Sequence, residues 1–544
     1  MFRTGIRPRQ LRRGVVVATA LIIAPPGVAG DGHDLEQINR IIDMGFNHSE
    51  VATTAAHLTD RIGPRLTNSP GAREAEAWTQ ARFRDWGLRD VRAEGVEFGR
   101  GWSIESFDVR LVAPRSRDYD AIPVAWTPST PGTVEAPVVL AVLRDDDDFD
   151  DWRGRLAGKI VLVSQPETPD EPRYPKFQRK DRDELRELDR YRQPRRDHDA
   201  HVHRELRRRG FAKRRDAFLA AEGALAWVRT GYAEGNLIWG GGYQHRVGET
   251  PTLPGFEMAR DHYRQIARLA LGDTPPVLAL TSVVRFHDDD TRAYNILADL
   301  PGRGRRAGYV MAGAHLDSWA SSDGAQDNAA GVAIVMEAAR ILARLDARPK
   351  RRIRFALWGA EEQGMFGSLA YLERYVARRG PLPDATYADL PPFRVWDQRW
   401  PITPLEGHGE LSGYFNLDNG SGRIRGIYTA GNVAVVPLLK HWLRPFESME
   451  ADHVVAAPTR GTDHVPMRQV GIPAFQFIQD SLDWVAHTNL DNYDHLRIDD
   501  MRQAAVVLAA LLWQAANHDT PLPRMPLPSE PVHYDPFAYP EPDH

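Results

Sequence analysis

The sequence contains no cysteine. Disulfides, thiolate zinc sites, iron–sulfur clusters and a cysteine nucleophile are therefore excluded. Any metal must be held by nitrogen and oxygen, and the fold relies on its core alone. Long apolar runs are scarce as well. Gly14–Ala24 (GVVVATALIIA) is too short to span a bilayer comfortably, and no other stretch is long enough. Positive charge is not in surplus: the formal net charge is −5, which leaves no field to attract phosphates and argues against a nucleic-acid partner. There is no Gly-x-Ser-x-Gly elbow and no His-Glu-x-x-His helix. Leu300–Arg306 (LPGRGRR) lacks both the phosphate-loop lysine pattern and a dinucleotide fingerprint.

The N-terminus has the layout of an export signal: Arg3, Arg7, Arg9, Arg12 and Arg13, then the apolar run, then small residues at Gly27-Val28-Ala29. Removal of residues 1–30, which hold five arginines and no acid, would take the charge to −10. The expected location is periplasmic or secreted, without a stable membrane anchor. At 544 residues the chain calls for two domains.

Leu35–Arg61 and Gly71–Trp86 have helical patterns, and Val91–Phe98, Ser106–Val112, Val138–Leu143 and Lys159–Val163 read as strands. Residues 172–216 are dominated by charge and read as a solvated helical excursion, with a docking surface as the alternative. From Asn295 onward strand and helix alternate, which predicts an α/β fold: a mostly parallel, mixed central sheet with helices on both faces. Asn328–Leu345 carries apolar residues at helical spacing. Residues 381–411 read as a long loop near the site, and residues 516–544 as a proline-rich tail.

Four segments in this half end apolar, strand-like runs with metal-ligand side chains: Tyr309–Asp317 (YVMAGAHLD), Ile353–Glu362 (IRFALWGAEE), Gly413–Asp418 (GYFNLD) and Ile472–His487. Ligands of open α/β sheets bind beyond the carboxyl ends of strands, where His315, Glu361, Glu362 and Asp418 would fall. Gly324–Gly331 (GAQDNAAG) opens a helix with Asp327, a carboxylate placed to bridge two ions. His315 and His487 offer imidazole nitrogens. In the pair Glu361-Glu362 one carboxylate can bind metal while the other serves as general base. Asp317, two residues from His315, can orient that ring. A histidine ending a strand, a Glu-Glu pair or an aspartate at a helix start is singly weak evidence. The complete set is strong, and together these residues make a ligand set for two zinc ions.

These residues resemble the two-zinc aminopeptidase family that includes secreted bacterial leucyl aminopeptidases and plasma glutamate carboxypeptidase. The resemblance rests on His315-Leu-Asp317, Gly324–Asn328, Ala360–Gly364, Asn416-Leu-Asp418, Thr462-Asp463-His464, His487-Thr488 and the upstream Arg61–Leu66 with Ser69–Gly71. It implies a discontinuous catalytic domain over residues 31–105 and 290–515, with a smaller β-rich protease-associated domain inserted at 106–289. It further implies that His315 and Asp418 bind one zinc, Glu362 and His487 the other, and that Asp327 bridges both across a cis bond to Asn328. Glu361 would be the general base toward a water shared by the ions, and the substrate a peptide, with cleavage from its amino end as the first expectation. The framework also carries carboxypeptidases and dipeptidases, and a related scaffold carries glutaminyl cyclases with one zinc, against which His315 and Asp317 argue. Many members have Tyr or His just before the last zinc ligand. Here Val485-Ala486 precede His487, so an oxyanion donor is sought at Trp484 or His464, beside Asp463. Oligomeric state is left open.

Overall fold

The computed structural model describes Met1 and residues 31–529, apart from 170–176, 191–197, 243–244, 250–251, 305–307, 460 and 481–484. Apart from Met1, the expected export signal lies outside these residues, as does the end of the tail. No helix among the described residues is long and apolar enough to cross a membrane.

Numbered in chain order, eight strands form the first sheet in the spatial order β1 (Arg89–Glu97), β10 (Arg292–Leu300), β12 (Arg352–Trp358), β11 (Tyr309–His315), β15 (Leu411–Asn416), β18 (Ala474–Gln479), β16 (Ile424–Tyr428) and β17 (His453–Val455). The four central strands β12, β11, β15 and β18 run parallel, and antiparallel pairs flank them, as the alternating pattern predicts. Along β11 successive residues face opposite sides. Val310, Ala312 and Ala314 join a core with the helices Asp31–Asn47, Ala330–Arg344 and Ile498–Asn517. Tyr309 and Met311 join another with Trp358, Leu372, Trp396 and Tyr414. Burial on both faces explains why these strands read as unbroken apolar runs.

The second sheet also has eight strands, in the order β3 (Arg117–Asp118), β2 (Gly101–Ala113), β9 (Val277–His287), β5 (Val134–Leu140), β6 (Ile160–Leu162), β7 (Ala226–Thr230), β8 (Gly255–Met258) and β4 (Ala121–Pro123). It has its own core, in which Val138, Ile160, Val228, Phe256 and Leu280 are buried. All its strands lie between the first two of the other sheet, β1 and β10, in the chain.

Two expectations need correction. Residues 381–411 are not an irregular loop throughout: they contain the helices Pro392–Gln398 and Glu406–Glu410 and the strand β14 (Ile402–Pro404), paired with β13 (Ala377–Arg379). Trp396 and Leu390 are buried there, and such short elements leave too few repeats for a readable period. The charged block is not simply solvated either. Arg179 pairs with Asp500 at 2.9 Å and Asp480 at 3.3 Å, and the Lys180 N–H donates to Asp480 at 2.8 Å. Leu185 is buried with Val455 and Ile478. Asp480 and Asp500 are buried in the first sheet's body and need cationic partners, which composition alone could not reveal. Of the tail, residues 520–529 lie against the first sheet, with the Leu522 N–H donating to Ser412 Oγ.

Candidate metal centre

His315 is the last residue of β11, Glu361 and Glu362 follow β12, and Asp418 follows β15, so three adjacent parallel strands deliver side chains to one edge. Asp327 comes from the turn before the helix Ala330–Arg344, and its peptide bond to Asn328 is cis. His315 Nε2 stands 3.0 Å from Asp327 Oδ1 and 3.2 Å from Asp418 Oδ1. His487 Nε2 stands 2.9 Å from Asp327 Oδ2 and 3.0 Å from Glu362 Oε2. The five side chains thus form two clusters of nitrogen and oxygen donors, His315–Asp327–Asp418 and Asp327–Glu362–His487. They share Asp327, which presents one oxygen to each.

Asp317 stands beside His315 as expected, and it also holds a second group. The closer partner of His315 Nδ1 is the Asp317 backbone carbonyl, at 3.0 Å, while the carboxylate lies 3.7 Å away. That carboxylate accepts from the backbone N–H groups of Glu361 at 3.1 Å and Glu362 at 3.2 Å. It therefore orients the turn that carries the glutamate pair as well as the histidine. Asp463 is buried behind the cluster and hydrogen-bonded by Ser368 Oγ. His464 is buried, hydrogen-bonded to the backbone of Thr459 and in no contact with the ligand side chains among the described residues; burial takes its imidazole down to about 3. Trp484 lies outside the described residues.

Carboxyl and imidazole groups crowd one another here and shift one another's proton affinity. Burial pushes the Glu361 carboxyl well above its ordinary range; Asp418, Asp463 and Glu362 add to this and His315 opposes it. Burial raises Glu362 to about 7 against the pull of His487. Burial would lower both imidazoles, yet Asp418 beside His315, and Glu362 and Asp327 beside His487, hold them well above the usual histidine value. Protons thus gather where positive charge is needed. Glu362 Oε1 is a buried oxygen with no hydrogen-bond partner among the described residues, which leaves it available to a metal. Histidine nitrogens and carboxylate oxygens in this number fit zinc.

A model described as "Peptidase family M28" matches residues 295–512. Those residues are the M28-like part of the chain. The M28 peptidases are zinc-dependent hydrolases, and the donor set described above lies wholly within the M28 region. Carboxypeptidase Q of Mus musculus is 23% identical over 474 residues, covering 86% of each chain. The protein of the same name from Bos taurus is 26% identical over 342 residues, which span 62% of this chain and 64% of that relative. Among solved structures, the peptidase M28 precursor from Shewanella amazonensis aligns with TM-score 0.62 and 22% identity, over 92% of this chain and 100% of that one. BSAP, a zinc aminopeptidase from Bacillus subtilis, aligns with TM-score 0.56 and 18% identity, over 86% and 95%. At these identities the structural likeness establishes the fold.

Several residues around the M28 donor set escaped the sequence reading. Asp491 accepts from the backbone N–H groups of Gln326 at 2.6 Å and Asp327 at 3.0 Å, fixing the turn of the shared ligand. Its position four residues after His487 was the available signal. Arg65 is fully buried and donates to the carbonyls of Leu58, Gly63, Leu316, Asp323 and Gly324, tying the N-terminal segment to the loop after β11. Trp319 Nε1 donates to Glu362 Oε2 at 2.7 Å. Trp239, from outside the M28 region, stacks on His487 with ring centroids 5.3 Å apart. Nothing in the sequence pattern marked either tryptophan.

Proposed function

We propose that the protein is an exported exopeptidase that binds two zinc ions and releases residues from the amino end of peptides. His315 and Asp418 would hold one ion, Glu362 and His487 the other, and Asp327 would serve both. The second sheet, with strands from residue 101 to residue 287, supports the reading of a protease-associated domain inserted at about residues 106–289.

The observation that carries the choice of amino end is the sign of the site's charge. Six carboxyl groups, of Asp317, Asp327, Glu361, Glu362, Asp418 and Asp463, converge there, a surplus of acidic over permanently basic groups, with burial holding Glu361, Glu362 and Asp463 toward the neutral form. Besides the imidazoles of His315 and His487, Arg65 feels Asp317 and Asp327, and its N–H groups are committed to carbonyls. Such a site attracts a substrate's terminal ammonium group and disfavours a terminal carboxylate.

When bound, zinc acidifies a water and polarises the scissile carbonyl. Glu361 takes the proton of the attacking water and passes it to the leaving amine nitrogen. The raised proton affinity of its carboxyl suits both transfers. Asp317 holds the Glu361 and Glu362 backbones, and Asp491 holds that of Asp327, so the donors are set before substrate arrives.

The carboxypeptidase reading draws on the name of the relatives from cattle and mouse. Turnover of aminoacyl-nitroanilides, dipeptides and N-blocked peptides, before and after chelation and zinc repletion, separates the two. The expected outcome is chelator-sensitive release from free-amine substrates alone. Cleavage of N-blocked peptides from the carboxyl end would overturn the assignment.

A further inference from the structure

Resting on the two-zinc reading, the geometry points to a pair of tryptophans, Trp319 of the M28 region and Trp239 of the second sheet, as positioning residues for Glu362 and His487. The second sheet thereby completes one half of the metal site. The indole N–H of Trp319 donates to Glu362 Oε2 at 2.7 Å, while Oε1 has no partner among the described residues. The same Oε2 stands 3.0 Å from His487 Nε2, so the indole N–H fixes the carboxylate of the second cluster on the side that faces the histidine, which is how an outer hydrogen bond orients a metal ligand. Trp239 lies face to face with the His487 ring, 5.3 Å between centroids and 8° between planes. It also meets Trp319 edge-on at 5.2 Å and 86°, so the two indoles brace each other as well as the ligands.

Trp239 is held from both sides. From the second sheet, the buried Glu257 of β8 accepts from the Trp239 backbone N–H at 2.7 Å, and Arg229 of β7 pairs with Glu257 at 2.7 Å while donating to the Gly241 carbonyl at 2.7 Å. From the M28 region, Asn489, two residues after His487, exchanges two hydrogen bonds with Ile238: its N–H donates to the Ile238 carbonyl at 3.0 Å, and its Oδ1 accepts from the Ile238 N–H at 3.1 Å. The loop is thus bolted to the segment that carries His487. The other half of the site, His315 with Asp418, has no aromatic neighbour of this kind among the described residues.

The test is zinc binding by the full-length protein, stripped of metal and titrated against a competing chelator, for wild type, Trp319→Phe and Trp239→Leu. Trp319→Phe keeps an aromatic ring and loses the N–H. Each variant should bind one of two equivalents about 10- to 100-fold more weakly and the other unchanged. Excess free zinc should restore turnover, which a global packing defect would not allow. Unchanged affinity for both equivalents in folded Trp319→Phe overturns the inference. If that variant fails to fold, Trp239→Leu decides it alone: a weakened single equivalent supports the inference and native affinity overturns it. Wild type binding fewer than two zinc ions would count against the two-zinc reading, a result distinguishable from failure of the tryptophan brace.

Discussion

The first sheet delivers ligands to the site at the ends of its strands, whereas the second sheet reaches it with one loop, between β7 and β8. The two have the same number of strands and separate cores, yet they relate to the chemistry in opposite ways. In the first, neighbouring parallel strands end together, so His315, the Glu361-Glu362 turn and Asp418 converge without long connections. In the second, no strand supplies a side chain to the two donor clusters among the described residues. Its contribution is an aromatic surface, Trp239, with Trp102 and Trp126 in the cluster that also holds Trp319. Ligand identity belongs to one sheet, and the walls around the ligands are shared by both.

The sharpest way to break this comparison is within the first sheet's edge. Asp327→Asn should take activity down to the level of chelated protein and lower zinc content, because both clusters share that carboxylate. Glu361→Gln should keep zinc content and lose activity by about 10²–10⁴-fold, the range for loss of a general base. Metal analysis beside steady-state rates checks both, and near-native turnover in Glu361→Gln would remove its assigned role.

A second test sets the two cores apart. Phe256 is fully buried in the second sheet's core, so Phe256→Ala should destabilise by about 3–5 kcal/mol in denaturant unfolding. Zinc affinity at the His315–Asp418 half should survive wherever the protein stays folded. Parallel loss of both zinc equivalents would mean that the two sheets are not separable in this way.

The smallest expected effect concerns pH. Burial pushes the Glu76 carboxyl, beneath the outer strands of the first sheet, from 4.5 up to about 7 in spite of Arg73. A group that holds its proton more tightly folded than unfolded stabilises the native state in acid. That contribution is lost as pH rises from its unfolded value through about 7. The window is worth about 3 kcal/mol at 1.36 kcal/mol per unit. The difference between wild-type and Glu76→Gln unfolding free energies, followed from pH 4 to 8, should show this slope. A flat difference would place Glu76 in water.

Much of the first sheet was legible because buried parallel strands are continuous apolar runs, each closed by a polar ligand. His315-Leu-Asp317, Glu361-Glu362 and Asn416-Leu-Asp418 mark strand ends by chemistry and by pattern at once. The second sheet was legible only in pieces, such as Val138–Leu143 and Lys159–Val163, since its strands are short. Residues 381–411 look irregular because their helices are too brief to show a period. Arg179 looks solvated because Asp480 and Asp500, its partners, lie some 300 residues further on.

By itself the sequence determined the class of fold, the absence of thiol chemistry and the candidate metal-ligand side chains, because each is written in local composition and spacing. Only the tertiary structure decided how those side chains meet: one Asp327 oxygen to each histidine, Asp317 on the backbone of the glutamate pair, Asp491 on that of Asp327, and Trp239 over His487. These are contacts between residues tens to hundreds of positions apart. Their partners are set by the packing of strands and loops, and no local periodicity encodes them.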